Sequence, residues 1–390
     1  MYESQPDIAI FLRNLTGGGA ERVMLNLACG FAQKGVKVDL ILAKANGKYL
    51  DQVPEEIQLV DFDHSNLYGK FKLPTGFQSL KSLPKLVNYL REKKPKVLLS
   101  ALHFPNEVAI LAKKLARVST RIVVSEHTNL SVEAKLVEQI SSRLAPFTAK
   151  LLYPFADGIV AVSQGAADNL AHLTGIPQQK IQVIYNPVIT PDLRAKMTES
   201  VEHPWFAPGE PPVIIGAGRF VAQKDFATLI RAFAKVRQIR PARLMMLGSG
   251  REAENLKALV KELDIEADVF WVGFVNNPFA YMKQAGVFVM SSVWEGFGNV
   301  VVEAMAVGTP VVSTNCPSGP EEILALGKYG ELVPVGDSEA MAEAILKVLS
   351  GDIQSVDSDW LQQFTWETVT QKYMDFLGIT TDPKVNEYRQ

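Results

Sequence analysis

Short apolar runs alternate with helix-period segments along most of this chain, and no other feature restricts its fold as much. Residues 8–12, 36–42, 97–102, 122–125, 158–162 and 181–184 read as buried strands. Helical patterns over 20–33, 107–116 and 164–172 lie between them. Apolar strands separated by helices predict a parallel sheet covered on both faces. The alternation stops in a polar stretch, 187–212, that carries Pro187, Pro191, Pro204, Pro208, Pro211 and Pro212. It then restarts with strands over 213–216, 244–247, 269–273, 287–290, 311–313 and 331–333, and helices over 226–236, 252–263 and 299–307. The expectation is an α/β protein with two doubly wound, Rossmann-like domains, 1–195 and 205–362. A closing helical segment follows at 363–380.

The bulk numbers agree with that layout. A chain of 390 residues favours two domains, and 47% hydrophobic with 21% charged residues describes a globular protein with large cores. No apolar run approaches the roughly 20 residues of a membrane span. Residues 1–7 lack the basic start of a secretory leader. Cys29 and Cys316 show no metal-site spacing and suit a reducing compartment. Residues 1–200 carry 24 Lys/Arg against 18 Asp/Glu, a balance of +6, whereas 201–390 carry 16 against 24, a balance of −8. A basic half joined to an acidic half suggests different partners for the two domains.

Ligands of open α/β sheets collect at the carboxyl ends of strands. Several such ends stand out here. The first strand runs into Gly17-Gly18-Gly19-Ala20-Glu21-Arg22, where a glycine run before a helix lets backbone amides approach an anion. This turn is neither G-x-G-x-x-G nor a P-loop; a plain tight turn explains it equally well. Arg219 and Lys224 share one strand-end loop and suit a diphosphate; a solvated basic loop is the alternative. Gly248 and Gly250 end the next strand, as an ordinary turn or as a bed for a nucleotide. The stretch 293–308 holds Glu295, Gly296, Phe297 and Gly298, then a helix that is apolar almost all round. Its Glu303 is therefore expected to be a buried carboxylate in need of a partner. His127, in S-E-H-T-N after the strand 122–125, is a candidate hydrogen-bonding or proton-transfer group, and His103 competes with it.

Taken together, the chain resembles the family-4 glycosyltransferases, retaining enzymes of the GT-B fold that use nucleotide-activated sugars. The resemblance runs through G-G-A-E-R-V-M-L-N-L-A (18–28), S-E-H-T-N and V-I-Y-N-P (183–187). It is densest in G-R-F-V-A-Q-K-D-F (218–226), E-G-F-G-N-V-V-V-E-A-M-A (295–306) and C-P-S-G-P-E-E-I-L (316–324). The resemblance implies two domains facing across a cleft, with the last helix crossing back to the N-terminal domain. It implies that Glu303 holds a ribose, that Glu295 contacts the donor sugar, and that Phe297, Gly298 and Asn299, with Gly296 and Val300 beside them, offer backbone donors. Arg219 and Lys224 would neutralise the diphosphate, and His127 would stand beside the reacting sugar. Gly18 and Gly19 would border the phosphate, and the base would lie along 273–277, against Phe274 and Val275.

The 316–322 loop is similar to that of members using UDP-sugars, so a UDP-N-acetylhexosamine or UDP-hexose is the expected donor. No DxD-like pair ends a strand, so no metal or other cofactor is expected. A front-face displacement is preferred, because no second carboxylate is poised as a nucleophile. The expected acceptor is a glycan or lipid-linked saccharide. Basic and apolar residues over 70–96 and 142–155 suggest contact with the anionic inner leaflet of the cytoplasmic membrane, or else ordinary amphipathic helices. A cytoplasmic site of action and no nucleic-acid partner complete the expectation. A GT-B epimerase and an NAD-dependent oxidoreductase are rival readings; the latter lacks its fingerprint glycines.

Overall fold

The computed structural model describes residues 5–62, 80–137 and 139–380. The chain divides into two compact units, Val188–Thr365 and the remainder, which includes Trp366 onward.

The first unit is a seven-stranded parallel sheet. Its strands are β1 (Ile8–Leu12), β2 (Val38–Leu42), β3 (Gln58–Asp61), β4 (Val97–Ala101), β5 (Arg121–Glu126), β6 (Gly158–Ala161) and β7 (Ile181–Val183), in the order β3-β2-β1-β4-β5-β6-β7. Helices α1 (Gly19–Gln33), α2 (Leu83–Lys93), α3 (His103–Ala116), α4 (Leu130–Leu136), α5 (Ile140–Leu152) and α6 (Gln164–Thr174) connect them. Side chains alternate across each strand. Ala9, Phe11, Leu98, Ile122 and Val124 therefore enter one core, and Ile8, Ile10, Leu12, Leu99 and Val123 the other. β3 went unrecognised in the sequence because it is an edge strand with no fully buried residue.

The second unit is a six-stranded parallel sheet in the order β10-β9-β8-β11-β12-β13. Its strands are β8 (Val213–Ala217), β9 (Arg243–Leu247), β10 (Val269–Gly273), β11 (Val287–Met290), β12 (Val311–Thr314) and β13 (Glu331–Val333). Helices α7 (Pro191–Lys196), α8 (Phe226–Ile239), α9 (Ala253–Glu262), α10 (Pro278–Gln284), α11 (Asn299–Ala306), α12 (Pro320–Ile323), α13 (Ser338–Leu349) and α14 (Ser358–Gln362) belong to it.

The units divide at Pro187/Val188, whereas the sequence suggests 195–205. The proline-rich stretch packs into the second unit rather than serving as a loose linker. Pro191 opens α7, Leu193 is buried, and the rings of His203 and Trp205 lie 4.7 and 5.8 Å from that of Phe270. Prolines suit this role as well as a linker, because they fix φ without needing an N–H partner.

The last helix, α15 (Trp366–Leu377), returns to the first unit. Val369, Tyr373, Met374 and Leu377 enter its second core, and Trp366 Nε1 donates to the Asn26 carbonyl at 2.6 Å. Gly30 of α1 makes this approach possible, since a Cβ there would collide with Thr370. The α/β architecture, the two doubly wound sheets and the returning helix are as expected.

Candidate functional site

The order of the second sheet reverses between β8 and β11, which creates a crevice between the loops that follow them. Lys224, from the β8–α8 loop, and Glu295, from the β11–α11 loop, meet there with Lys224 Nζ 2.5 Å from Glu295 Oε1. Ser292 Oγ donates to the same oxygen at 2.6 Å. Further bonds lash the loops together: Val293 N to the Gln223 carbonyl (2.8 Å), Gln223 Nε2 to the Trp294 carbonyl (2.9 Å) and Ser291 Oγ to the Lys224 carbonyl (2.8 Å). Glu295 is buried, 7% exposed, and this pairing compensates its removal from water. Arg219, on the same loop, is exposed, and its guanidinium has no bonding partner among the described residues.

Gly298 precedes α11 at φ +105°, a conformation that favours glycine, so the helix begins directly after the loop that carries Glu295. Phe297 is buried and its ring lies 5.8 Å from that of Phe364. Gly319, at φ +103°, stands so close to the Phe297 carbonyl that a Cβ would overlap it. The 316–322 loop therefore braces the G-F-G turn. Glu303 departs from expectation. It is half-buried, on a stripe with Asn299, Val300 and Ala306, while Val301, Val302, Ala304 and Met305 fill the core. The helix is two-sided after all: valine and alanine occupy its outer stripe as well as its inner one, so composition hid the polarity. The buried carboxylate of this stretch is Glu295.

Gly248, at φ +138°, packs against the Gly218 carbonyl, and Gly250 against that of Phe220. The two glycines thus bring the β8 and β9 loops into contact, a structural duty in addition to the one expected of them. Phe274, 51% exposed, and half-buried Val275 follow β10, two strands from β8.

In the first unit the sheet order reverses between β1 and β4. Gly17 N and Gly18 N donate to Glu21 Oε2 at 2.9 and 2.6 Å. Two amides expected to face an anion are thus occupied by the buried carboxylate of Glu21. Gly19 begins α1 at an exposed position.

His127 follows β5. Its ring Nε2 lies 3.0 Å from Ser125 Oγ, and Ser125 Oγ lies 3.3 Å from Tyr373 Oη of α15. Burial pushes its pKa down to about 4, so the ring is neutral at physiological pH. Beneath it lies a polar cluster in the sheet. Glu126 accepts from His127 N (3.0 Å) and Tyr153 Oη (2.8 Å); Asn106 Nδ2 donates to Tyr153 Oη (3.0 Å) and the Ser125 carbonyl (3.0 Å). Burial pushes Glu126 up to about 8, and the Tyr153 hydroxyl and the amides of His127 and Thr128 oppose that shift. His103, at the start of α3, is 9% exposed, and its Nε2 has no partner among the described residues. Burial and the charge of Arg13 push it down to about 4.

The sequence reading missed Ser125, Asn106, Glu126, Tyr153 and Tyr373 as neighbours of His127. Only Glu126 carried a signal, a lone acid at the end of an apolar strand. Among the described residues no group of three or more His, Cys, Asp or Glu could hold a metal ion.

Two parallel doubly wound units, one with a Lys–carboxylate pair at its switch point, are the layout that the resemblance to the GT-B class implies. Solved structures agree on the fold. A lipopolysaccharide outer core galactosyltransferase, WaaB, superposes with a TM-score of 0.72 over 94% of this chain and 98% of its own, at 23% identity. Anabaena HepE, solved with UDP and glucose, superposes at 0.76 over 96% and 100%, at 22% identity. The family model described as "Glycosyltransferase Family 4" matches residues 17–190, and "Glycosyl transferases group 1" matches 198–359. An N-acetylgalactosamine-N,N'-diacetylbacillosaminyl-diphospho-undecaprenol 4-alpha-N-acetylgalactosaminyltransferase of Campylobacter jejuni is 33% identical over 88% of this chain and 90% of its own. The lipopolysaccharide core biosynthesis glycosyltransferase LpsE of Rhizobium meliloti is 28% identical over 93% and 96%. The chain belongs to the family-4 glycosyltransferases and is an enzyme of glycan assembly.

Proposed function

We propose that the protein transfers an N-acetylhexosamine or hexose from a UDP-sugar, with retention of configuration, to a lipid-linked saccharide. The observation that carries this reading is the Lys224–Glu295 pair at the switch point of the second sheet, beside the first amides of α11. Cleavage of the sugar–phosphate bond builds negative charge on the departing diphosphate. Lys224 and Arg219, with the α11 amides, stabilise that charge where it develops, and take the part a divalent metal would otherwise play. Glu295, held by Lys224 and Ser292, orients a sugar hydroxyl. Glu303, on the outer stripe of α11, accepts from the ribose, and Phe274 offers a face to the base. His127, kept neutral, serves as a hydrogen-bonding group beside the sugar. The leaving phosphate assists deprotonation of the acceptor. The two named relatives act in diphospho-undecaprenol-linked and lipopolysaccharide glycan assembly, which supports an acceptor of that kind.

A lipid-borne acceptor calls for a membrane-facing surface, and α5 supplies one. Ile140, Leu144, Phe147 and Leu151 form one stripe at helical spacing, 42–68% exposed, with Leu136 and Phe155 at its ends. Arg143, Lys150, Lys135 and Lys114 are exposed around it. This suits the inner, anionic leaflet of the cytoplasmic membrane. The other expected segment does not contribute in the same way. Lys70 and Lys72 lie outside the described residues, and α2 turns Leu86 and Leu90 into the core. Among the described residues no helix is long and apolar enough to cross a membrane.

Thermal unfolding with a panel of UDP-, GDP- and ADP-sugars tests the donor: a UDP-sugar raises the melting temperature most. A larger shift with a GDP- or ADP-sugar overturns UDP. Sugar transfer within a few-fold of wild type by Arg219→Ala/Lys224→Ala overturns the roles of the two cations. Co-sedimentation with anionic vesicles at low salt, lost in Phe147→Ser/Leu151→Ser, tests the surface; absence of wild-type binding overturns it.

A further inference from the structure

We infer that Tyr373, on the C-terminal helix, sets the protonation of His127 through Ser125, and is thus a positioning residue for sugar transfer. The inference rests on the proposed role of His127, and all three residues belong to the first unit.

Tyr373 is 1% exposed, and among the described residues its hydroxyl has one hydrogen-bond partner, Ser125 Oγ, at 3.3 Å. A buried phenolic O–H that donates to nothing is costly, so this proton points at Ser125. Burial also holds the phenol up at about 12, which keeps it protonated. Ser125 is fully buried and its Oγ has one other partner, His127 Nε2 at 3.0 Å. Since the serine oxygen already accepts from Tyr373, its own proton is free to go to Nε2. His127 must then accept at Nε2, which places the ring proton on Nδ1. The hydrogen positions are thus assigned from the network, with each buried hydroxyl donating once.

The backbone supports the same chain. The Ser125 carbonyl accepts from Leu102 N at 3.2 Å and from Asn106 Nδ2 at 3.0 Å, and Asn106 is held by Ser100 Oγ at 2.7 Å. His127 N is tied to Glu126 at 3.0 Å. These bonds fix the backbone from which both side chains project. The outcome is chemical. His127 presents an N–H donor at Nδ1, and among the described residues nothing else engages that nitrogen. A donor at that position fits a hydroxyl or ring oxygen of a sugar. The opposite tautomer would present a lone pair and reverse the preference. The returning helix α15 is thereby part of the active machinery of the first unit as well as part of its core.

Nitrogen NMR of the full chain with labelled histidine tests this without donor or acceptor. The chain has five histidines, and His127→Gln identifies the resonance. At about pH 7.5, above the ordinary histidine pKa of about 6.5, the wild-type ring is expected to show a bare Nε2 and a protonated Nδ1. Tyr373→Phe removes the donor into Ser125, which can then accept from Nε2–H, and the spectrum moves to a mixture of tautomers. Ser125→Ala moves it as well. A protonated Nε2 in the wild type, or unchanged signals in both variants, overturns the proposal. For transfer, Tyr373→Phe is expected to lower kcat about tenfold or more, with donor KM little changed. An altered tautomer with full kcat overturns the positioning role. Failure of every sugar nucleotide as donor, with the tautomer as assigned, instead overturns the functional reading.

Discussion

Lys224 Nζ and Glu295 Oε1 stand 2.5 Å apart although seventy-one positions separate them in the chain, and both side chains are largely removed from water, at 17% and 9% exposure. Each ion is tolerable there because of the other. Removing one strands its partner in a poorly solvated crevice, which costs about 3–5 kcal/mol for a buried pair. Lys224→Met should therefore destabilise the protein more than Lys224→Met/Glu295→Gln does. Urea unfolding of the two single variants and the double variant measures the coupling. A value below about 0.5 kcal/mol would show that the two sites act independently.

Gly319 and Gly308 both have positive φ, +103° and +82°, but only Gly319 faces a carbonyl, that of Phe297. Gly308→Ala carries the backbone penalty alone, about 1 kcal/mol. Gly319→Ala must also displace the G-F-G turn, so it should cost about 1–3 kcal/mol more. If the proposed UDP-sugar donor protects the wild type, Gly319→Ala should also abolish that protection at the same concentrations. Equal melting temperatures for the two variants would refute the brace between the 316–322 loop and Phe297.

Glu126 titrates at about 8 in the folded protein against 4.5 for its ordinary value. The folded state then holds a proton that the unfolded chain has released. Its contribution is complete below about 4.5 and is lost as pH rises toward 8. His127, shifted from 6.5 to about 4, acts in the opposite sense, but only below 6.5. Between 6.5 and 8 the carboxyl dominates, and Glu107, raised by burial to about 7, joins it in the lower half. Stability should decline across that window by at most about 1.4 kcal/mol per pH unit for one proton. Urea midpoints measured across the window should flatten in Glu126→Gln. An unchanged slope in that variant would place the titration elsewhere.

Glu21 accepts from the amides of Gly17 and Gly18. Glu21→Ala should cost about 0.5–2 kcal/mol, as loss of a helix cap does. Glu21→Gln, which keeps an acceptor oxygen, should lose less. Hydrogen exchange at Gly17 and Gly18 checks the cause: protection should fall in the alanine variant and persist in the glutamine one. Equal exchange in both would assign the loss to packing instead.

Much of the fold was legible because buried parallel strands are near-continuous apolar runs; β1, β10, β11 and β13 fall on the residues their hydrophobicity suggests. β3 did not, since its Gln58 and Asp61 face solvent. Lys224 and Glu295 were legible as strand-end charges, but their pairing was not, because it depends on β8 and β11 being neighbours. Glu303 was misjudged as buried, because valines on the outer stripe of α11 look the same in sequence as those in the core. The amides of Gly17 and Gly18 looked open, although Glu21 stands three residues after the Gly18 cap, the local spacing at which a carboxylate folds back on such amides.

What the sequence alone determined is the local layer of this protein: which segments are strands, where each stops, and which glycines and charges stand at those stops. These follow from periodicity and backbone stereochemistry, which act over a few residues. The tertiary structure decided which strand ends adjoin. It brought Tyr373 from the far end of the chain to Ser125 and His127, and it set Lys224 against Glu295. Burial and hydrogen-bond partners are properties of that assembled neighbourhood, so the charge states of side chains such as Glu126 and His127 depend on the fold and not on the local sequence.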